Sequence, residues 1–156
     1  MAKLVDVAQK APPFSLATDG GGKVSLADLA GAPAIVYFYP KDDTSGCTRE
    51  ALDFSAAAAK FKKLGIPVVG VSKDSVAAHD KFKGKHKLKV VLASDPDGIV
   101  IESYGSWIEK SMYGRKYMGI DRSTFLIDSK GKIVRIWRKV KVPGHVEEVL
   151  AAAKDL

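Results

Sequence analysis

An uninterrupted apolar run at residues 34–39, Ala-Ile-Val-Tyr-Phe-Tyr, constrains the fold of this chain more than any other feature. A run of strand-forming residues without polar alternation is typical of a strand that is buried on both faces. Residues 67–72 and 89–94 are predicted to form two further strands. Because strands of this kind need helices above and below them, we expect a mainly parallel sheet at the centre of the fold.

Helical segments separate these strands. The longest, residues 47–64, places apolar side chains three and four positions apart on one face and ends before Gly65. A second helix is capped by Asp74 or Ser75 and ends near Lys85. Two further helices are predicted at residues 99–104 and 145–155.

Two hairpins complete the predicted fold. Residues 14–17 pair with residues 24–25, and residues 123–128 pair with the return strand 133–140, whereas residues 105–121 are expected to be mainly loop. This order of elements is typical of an α/β domain with a thioredoxin-like fold, in which helices cover both faces of a central mixed sheet and an N-terminal β-hairpin is added. With no linker or repeat in the sequence, residues 1–156 are predicted to form a single domain.

The overall charge and hydropathy narrow the function classes. The net charge of +7 favours contact with anions, but the charges are spread along the chain and indicate no specific nucleic-acid site. No apolar run approaches the roughly 18 residues that cross a bilayer. Residues 1–10 are polar and lack the apolar region of a secretory signal. We therefore expect a cytoplasmic protein with no membrane contact and no specific nucleic-acid partner.

The inventory of cysteine and histidine excludes several kinds of site. The single cysteine, Cys47, allows neither an internal disulfide nor a cysteine-rich metal site. The histidines are far apart in sequence, so we expect no metal and no cofactor. His86 and His145 are predicted to lie on the surface, whereas His79 lies on a predicted helix in line with Phe82.

Cys47 stands where the strand at 34–39, after a polar turn, passes into a helix. The N-terminus of a helix carries unpaired N–H groups and a partial positive charge, which stabilise an anion such as a thiolate. Thr44 offers a hydroxyl and a helix cap, and Gly46 lets the backbone come close. A reactive thiol is therefore one interpretation. An inert, buried cysteine is the other, because Cys47 lies four residues before Ala51 and in line with the apolar face.

Three segments of the chain resemble the peroxiredoxin family, and most closely its bacterioferritin comigratory protein, or peroxiredoxin Q, subfamily. They are residues 39–50, 107–120 and 121–128. The resemblance implies a thiol peroxidase in which Cys47 attacks hydrogen peroxide or an organic hydroperoxide and becomes a sulfenic acid. Because it extends along the chain in order, it also supports the thioredoxin-like fold.

The resemblance further implies roles for residues around the thiol. Thr44 matches the residue that positions the peroxide and the thiolate, Pro40 the one that shields the pocket, and Arg122 the one that stabilises charge on the leaving oxygen. Considered without the resemblance, Arg122 is better interpreted as a surface ion pair. Glu50 either orients an arginine or is a solvated carboxylate of the first helical turn, and the latter is the interpretation we prefer.

Three positions depart from the pattern of the subfamily. Ser45 stands where a proline is common, and Leu52 and Lys83 stand where relatives carry a resolving cysteine. The resemblance therefore implies a one-cysteine, monomeric peroxidase whose sulfenic acid is reduced by an external thiol from thioredoxin, glutaredoxin or a small molecule. The alternative is a peroxide-sensing or redox-adaptor module that forms mixed disulfides through Cys47.

Overall fold

A computed structural model of the protein describes residues 5–156. The strands are β1 (Ser15–Thr18), β2 (Lys23–Ser25), β3 (Ala34–Phe38), β4 (Val68–Ser72), β5 (Val91–Ser94), β6 (Trp107–Met112), β7 (Arg115–Ile120), β8 (Ser123–Ile127) and β9 (Ile133–Trp137). The helices are α1 (Leu26–Leu29), α2 (Ser45–Ala56), α3 (Ala58–Lys63), α4 (Val76–His86), α5 (Ile99–Ser103) and α6 (His145–Lys154). The first part of the polar segment 1–10, residues 1–4, lies outside the described residues.

A seven-stranded sheet forms the centre of the fold, in the order β2-β1-β5-β4-β3-β8-β9. The β3–β4 and β4–β5 neighbours are parallel, since helices carry the chain across between their ends. The remaining neighbours, including β3 with β8 and β1 with β5, are antiparallel. The mixed sheet is confirmed, but the expectation of a mainly parallel one is wrong, because β8 is reached from the β6–β7 hairpin and not through a crossover helix.

Apolar layers cover both faces of this sheet, as predicted. Side chains of β3 alternate between them, with Ile35 and Tyr37 in one layer and Val36 and Phe38 in the other. Helices α2, α3, α4 and α6 contribute to the first layer, and α1 and α5 to the second. The continuous apolar run is therefore explained by burial on two sides, which confirms the prediction for this strand.

Residues 105–121 differ from the prediction, because they are not mainly loop. β6 and β7 pair antiparallel, with Trp107 opposite Ile120 at one end and Met112 opposite Arg115 at the other. Tyr113 and the glycine after it form the turn with φ values of 51° and 78°, a geometry that suits a two-residue hairpin. Many side chains of this hairpin are exposed, so it lacks the apolar alternation that marks a half-buried strand.

The predicted helix 47–64 also differs in its ends and in its continuity. It starts earlier, at Ser45, and is divided at Ala57, whose φ of −91° and ψ of 0° interrupt the helical geometry. Cys47 is consequently the third residue of α2. Within residues 5–156, the helices are all too short or too polar to cross a membrane.

Candidate active site

Cys47 lies in the first turn of α2, directly after the loop that follows β3. Thr44 has extended φ and ψ values of −88° and 157°, and the helix begins at the next residue. The N–H groups of Ser45, Gly46 and Cys47 therefore have no acceptor within the helix, and they create a positive potential around its first turn. Only 2% of the surface of Cys47 is exposed, so the sulfur is shielded from bulk water.

Arg122 brings a guanidinium to this sulfur. The pairing of β8 with β3 sets Ser123 opposite Phe38, which places Arg122 beside the start of the loop. Its Nη2 lies 3.4 Å from Cys47 Sγ. Gly46 makes room for this approach, because a Cβ there would lie 3.0 Å from Nη2. The interpretation of Arg122 as a surface ion pair is wrong, since its side chain is only 16% exposed.

Glu50 holds the guanidinium from its other end. Its Oε1 accepts a hydrogen bond of 2.8 Å from Arg122 Nη1. The side chain is fully buried, and Oε2 has no hydrogen-bond partner within residues 5–156. Burial raises the pKa of Glu50 to about 7, although Arg122 acts in the opposite direction. The interpretation of Glu50 as a solvated carboxylate is therefore wrong, and the geometry supports the orienting role.

The charge on Arg122 is stable in this setting. Burial works against it, but the adjacent Glu50 and Cys47 outweigh burial and raise the pKa of Arg122. The backbone is held as well, because the carbonyl of Arg122 accepts a hydrogen bond of 3.0 Å from the N–H of Val140. A permanently charged group is thus fixed beside the sulfur.

Tyr37 closes the site on the side of the core. Its ring stacks on Phe54 with 4.6 Å between centroids and belongs to the same apolar cluster as Cys47. It lies over Gly70 of β4, where a Cβ would come within 2.7 Å of the ring. Burial and the nearby Glu50 raise the pKa of Tyr37, so its phenol stays protonated. The wall behind the sulfur is accordingly aromatic and uncharged.

Pro40 and Thr44 belong to the loop between β3 and α2. Thr44 occupies the N-cap position, but its hydroxyl donates to the carbonyl of Lys41 at 2.8 Å and does not cap the helix. The predicted side-chain cap is therefore wrong. The hydroxyl oxygen of Thr44, which is exposed, can still accept a hydrogen bond. Pro40 is half-buried.

Other positions that the sequence singled out lie away from these contacts. Leu52 is 40% exposed, and the Nζ of Lys83 forms a 2.7 Å ion pair with Asp19. His145, predicted to be a surface residue, is buried because its ring turns inward at the start of α6 and bonds Thr124 at 2.8 Å. Within residues 5–156, no group of three or more histidine, cysteine or acidic side chains is suited to hold a metal.

The family model that matches this chain is that of the AhpC/TSA family, over residues 7–136. The chain belongs to the AhpC/TSA family. It is 53% identical to the putative peroxiredoxin bcp of Coxiella burnetii, over 94% of this chain and 97% of that protein. It is 45% identical to peroxiredoxin Bcp of Bacillus subtilis, over 97% of each chain.

Solved structures of related peroxiredoxins share the fold. The bacterioferritin comigratory protein of Xanthomonas campestris superposes with a TM-score of 0.90 at 42% identity, over 96% of this chain and 98% of that one. A cysteine-to-serine mutant of PrxQ from Xylella fastidiosa gives a TM-score of 0.93 at 38% identity, over 98% of each. These neighbours confirm the thioredoxin-like fold. The chain is a thiol-dependent peroxidase of the peroxiredoxin type, as the resemblance implied.

The sequence did not single out two titratable residues that lie behind the active-site loop of this peroxiredoxin. His79 of α4 and Asp42 of the loop form an ion pair, with 2.6 Å between Nδ1 and Oδ2. The sequence does contain a signal for the burial of His79, because this residue follows the helical spacing of the apolar Val76 and Phe82. A titratable side chain on a core-facing stripe needs a buried partner.

Proposed function

We propose that Cys47 is the residue that reduces the peroxide and that Arg122, Thr44 and Pro40 form its pocket. The observation that carries this proposal is the distance of 3.4 Å between Arg122 Nη2 and Cys47 Sγ. A sulfur in the first turn of a helix, beside a fixed positive charge, is in the environment that activates a thiolate nucleophile.

The reaction follows from where the charge moves. The thiolate of Cys47 attacks the terminal oxygen of the hydroperoxide, an S–O bond forms and the O–O bond breaks. The sulfur is oxidised to a sulfenic acid that keeps the hydrogen of the terminal oxygen, and the peroxide is reduced to an alkoxide or hydroxide, which takes a proton from water. Negative charge moves from sulfur to the leaving oxygen, so the guanidinium of Arg122 acts where charge develops.

The loop residues complete the pocket. Thr44 supplies a hydroxyl oxygen that can accept a hydrogen bond from the hydroperoxide, and Pro40 excludes water from the sulfur. The related Xanthomonas campestris protein is associated with alkyl peroxide reduction activity. We therefore propose organic hydroperoxides, together with hydrogen peroxide, as substrates.

Regeneration needs thiols from outside the chain, because Cys47 is its only cysteine. One external thiol condenses with the sulfenic acid and releases water, and a second thiol reduces the mixed disulfide. With 2% of Cys47 exposed, we expect a small thiol to reach the sulfur more readily than thioredoxin or glutaredoxin, which would require the first turn of α2 to open.

The same observations support two further proposals, on the oligomeric state and on the cellular compartment. Helices cover both faces of the sheet, so the domain buries its apolar layers without a partner. We therefore propose that residues 1–156 act as a single-domain monomer. A lone cysteine suits a reducing, cytoplasmic compartment.

The test compares wild type with Cys47→Ser in steady-state peroxide consumption, using dithiothreitol, thioredoxin and glutaredoxin as reductants. Wild type should turn over, and Cys47→Ser should lose turnover completely. Leu52→Ser is the matched control, because it places a serine at an exposed position of the same helix and should retain the wild-type rate. A Cys47→Ser variant that still consumes peroxide with thiol would refute the proposal.

Intact mass after peroxide treatment tests the chemistry directly. One added oxygen at Cys47, reversed by thiol, is the expected first product. Excess peroxide without thiol should carry the sulfur to the sulfinic acid, since no resolving cysteine intercepts the sulfenic acid. Oxidation that occurs once without turnover would instead favour the peroxide-sensing or redox-adaptor module.

A further inference from the structure

A second buried ion pair lies behind the loop that carries Pro40 and Thr44. His79 is the fourth residue of α4 and its side chain is completely inaccessible to solvent. Such a position normally holds an apolar residue, so a titratable ring there must be held by specific partners. The peroxidase reaction described above makes no use of it.

Both ring nitrogens of His79 face acceptors. Nε2 lies 2.9 Å from the carbonyl oxygen of Ala93 in β5, and Nδ1 lies 2.6 Å from Oδ2 of Asp42. A carbonyl and an ionised Asp42 only accept hydrogen bonds, so beside them each nitrogen carries a hydrogen and the ring is an imidazolium. Asp42 is saturated in turn, because the hydroxyl of Tyr39 donates to its Oδ1 at 2.6 Å.

The groups around the ring favour this charge. Asp42 and Tyr39 face it from the loop side, Asp74 from the segment before α4, and β5 contributes the carbonyl of Ala93. Burial disfavours the charge, but the hydrogen bond and charge of Asp42, followed by the carbonyl and by Asp74, outweigh burial and raise the pKa of His79.

Asp42 attaches the loop to the rest of the domain through both its side chain and its backbone. The side chain of Asp42 binds His79, and its backbone N–H donates to Asp74 Oδ2 at 2.8 Å. The same Oδ2 accepts from the hydroxyl of Ser72 at the end of β4, at 2.7 Å. Asp42 lies midway between Pro40 and Thr44, so fixing it fixes the part of the loop that faces the peroxide.

A second attachment on the outside of the loop provides the contrast. Asp43 binds Lys85 at 2.6 Å and His86 at 2.8 Å near the end of α4. The side chains of Lys85 and Asp43 are 56% and 42% exposed, and ion pairs in water contribute little. The buried pair is therefore the one that can hold the loop.

We propose that Asp42 and His79 are positioning residues, whose ion pair holds Pro40 and Thr44 at the distance from Cys47 that the reaction requires. The proposal rests on the pocket assigned under the proposed function. Loss of the charge on His79 leaves the carboxylate of Asp42 buried beside a neutral ring, so the loop loosens as pH rises and the oxidation of Cys47 slows.

The experiment measures the single-turnover oxidation of Cys47 by hydrogen peroxide in a stopped-flow instrument, which involves no reductant. The variants are Asp42→Asn, His79→Gln and the double variant. In His79→Gln the buried carboxylate of Asp42 loses its charged partner, and in Asp42→Asn the ring of His79 loses the carboxylate that favours its charge. Each single variant should therefore slow oxidation by about 10- to 100-fold, as expected for a misplaced reacting group. The double variant has neither charge and keeps hydrogen-bonding side chains, so it should recover most of the rate. Asp43→Asn is the matched control and should stay within about twofold of wild type.

A pH series separates positioning from simple stability. The ratio of the wild-type rate to the double-variant rate should fall as pH increases from 6 to 9, because only wild type contains the titrating pair. A ratio that is constant with pH, a double variant no faster than the singles, or folded single variants with wild-type rates would each overturn the proposal. If a single variant fails to fold, the ratio still decides. Failure of wild type itself to oxidise Cys47 would refute the proposed function instead.

Discussion

Two acid–base pairs with buried members lie beside the candidate active site, and they differ in what they touch. Arg122 and Glu50 meet at 2.8 Å, and the arginine continues to the sulfur of Cys47. His79 and Asp42 meet at 2.6 Å and touch the loop instead. Under the two proposals above, the first pair supplies charge at the reacting atom, whereas the second supplies position.

The pairs also differ in how well they are satisfied. Both ring nitrogens of His79 and both oxygens of Asp42 have partners, whereas Oε2 of Glu50 has none in the described part of the chain. A buried carboxylate with an unpartnered oxygen is costly to ionise. The pair that contacts the sulfur, Arg122 and Glu50, thus has an incomplete set of hydrogen bonds. The pair that contacts the loop, Asp42 and His79, has a complete set.

The largest expected difference between the pairs is in rate. Arg122→Gln removes the charge that faces the developing oxyanion, and it should slow the oxidation of Cys47 by about 10²- to 10³-fold. This loss should exceed that of any variant of the Asp42–His79 pair, because those residues act through the loop. Stopped-flow oxidation by hydrogen peroxide, with all variants at one pH, provides the comparison.

Arg138→Gln is the matched control for this variant. Arg138 is also half-buried, but its guanidinium donates to the carbonyls of Gly105 and Tyr104 at 3.2 Å and not to the sulfur. It should oxidise at nearly the wild-type rate. Equal losses for Arg122→Gln and His79→Gln would remove the distinction between charge and position.

The sequence led to the thiol and, through the family resemblance, to Arg122, but it singled out neither Asp42 nor His79 and did not favour the orienting role of Glu50. The apolar run before Cys47 and the helix after it are local signals, so the thiol at the helix start was found. Arg122 lies 75 positions further along, and only the register that sets Ser123 opposite Phe38 brings it to the sulfur. Without the family resemblance, no local pattern distinguishes this arginine from a surface residue.

Local sequence patterns also fail to predict Glu50, Asp42 and His79, because the surroundings of these residues depend on tertiary packing. Glu50 follows Cys47 by one helical turn, but its burial depends on what packs above α2, which the spacing does not reveal. Asp42 and His79 are 37 positions apart and meet only when α4 packs behind the loop. The β6–β7 hairpin was missed differently, since its backbone pairing leaves no apolar signature.

The second expected difference between the two pairs is in how the free energy of unfolding depends on pH. The pKa of Glu50 is about 7 in the folded protein, compared with an ordinary value of 4.5. Between these values the folded state holds a proton that the unfolded state releases, so this group makes stability fall as pH rises from about 4.5 to about 7. Glu50→Gln removes the effect. The free energy of unfolding of the variant relative to wild type should rise by on the order of 2–3 kcal/mol between pH 4.5 and pH 8.

Urea unfolding at a series of pH values measures this difference. Glu147→Gln, on the exposed side of α6, is the control and should give a difference that does not change with pH. The Asp42–His79 pair acts over another pH range. Because the pKa of His79 is raised in the folded state, the pair contributes its full stability below about pH 6.5 and loses it as pH rises through the pKa of the folded protein. A Glu50→Gln difference that is flat with pH would show that Glu50 is ionised throughout and that both pairs are equally satisfied.

The smallest effect concerns a buried base that has no acid partner. His145 bonds the hydroxyl of Thr124 at 2.8 Å and packs edge-on against Trp137, with 5.8 Å between centroids. Burial lowers the pKa of His145 to about 4. Its contribution to stability is therefore present above its ordinary value of 6.5 and is lost as pH falls toward 4, the opposite direction from His79.

His145→Gln should flatten this acid decline, so that wild type loses on the order of 1–2 kcal/mol relative to the variant between pH 7 and pH 4.5. Urea unfolding of both proteins across this range measures the difference. His86→Gln is the control, because His86 is a half-buried histidine that faces Asp43. If His145→Gln instead changed the stability at alkaline pH, a carboxylate partner would not be what decides the charge of a buried histidine in this protein. His79 and His145 pack against aromatic rings of the same apolar cluster, so a carboxylate within hydrogen-bond distance is the feature that separates them.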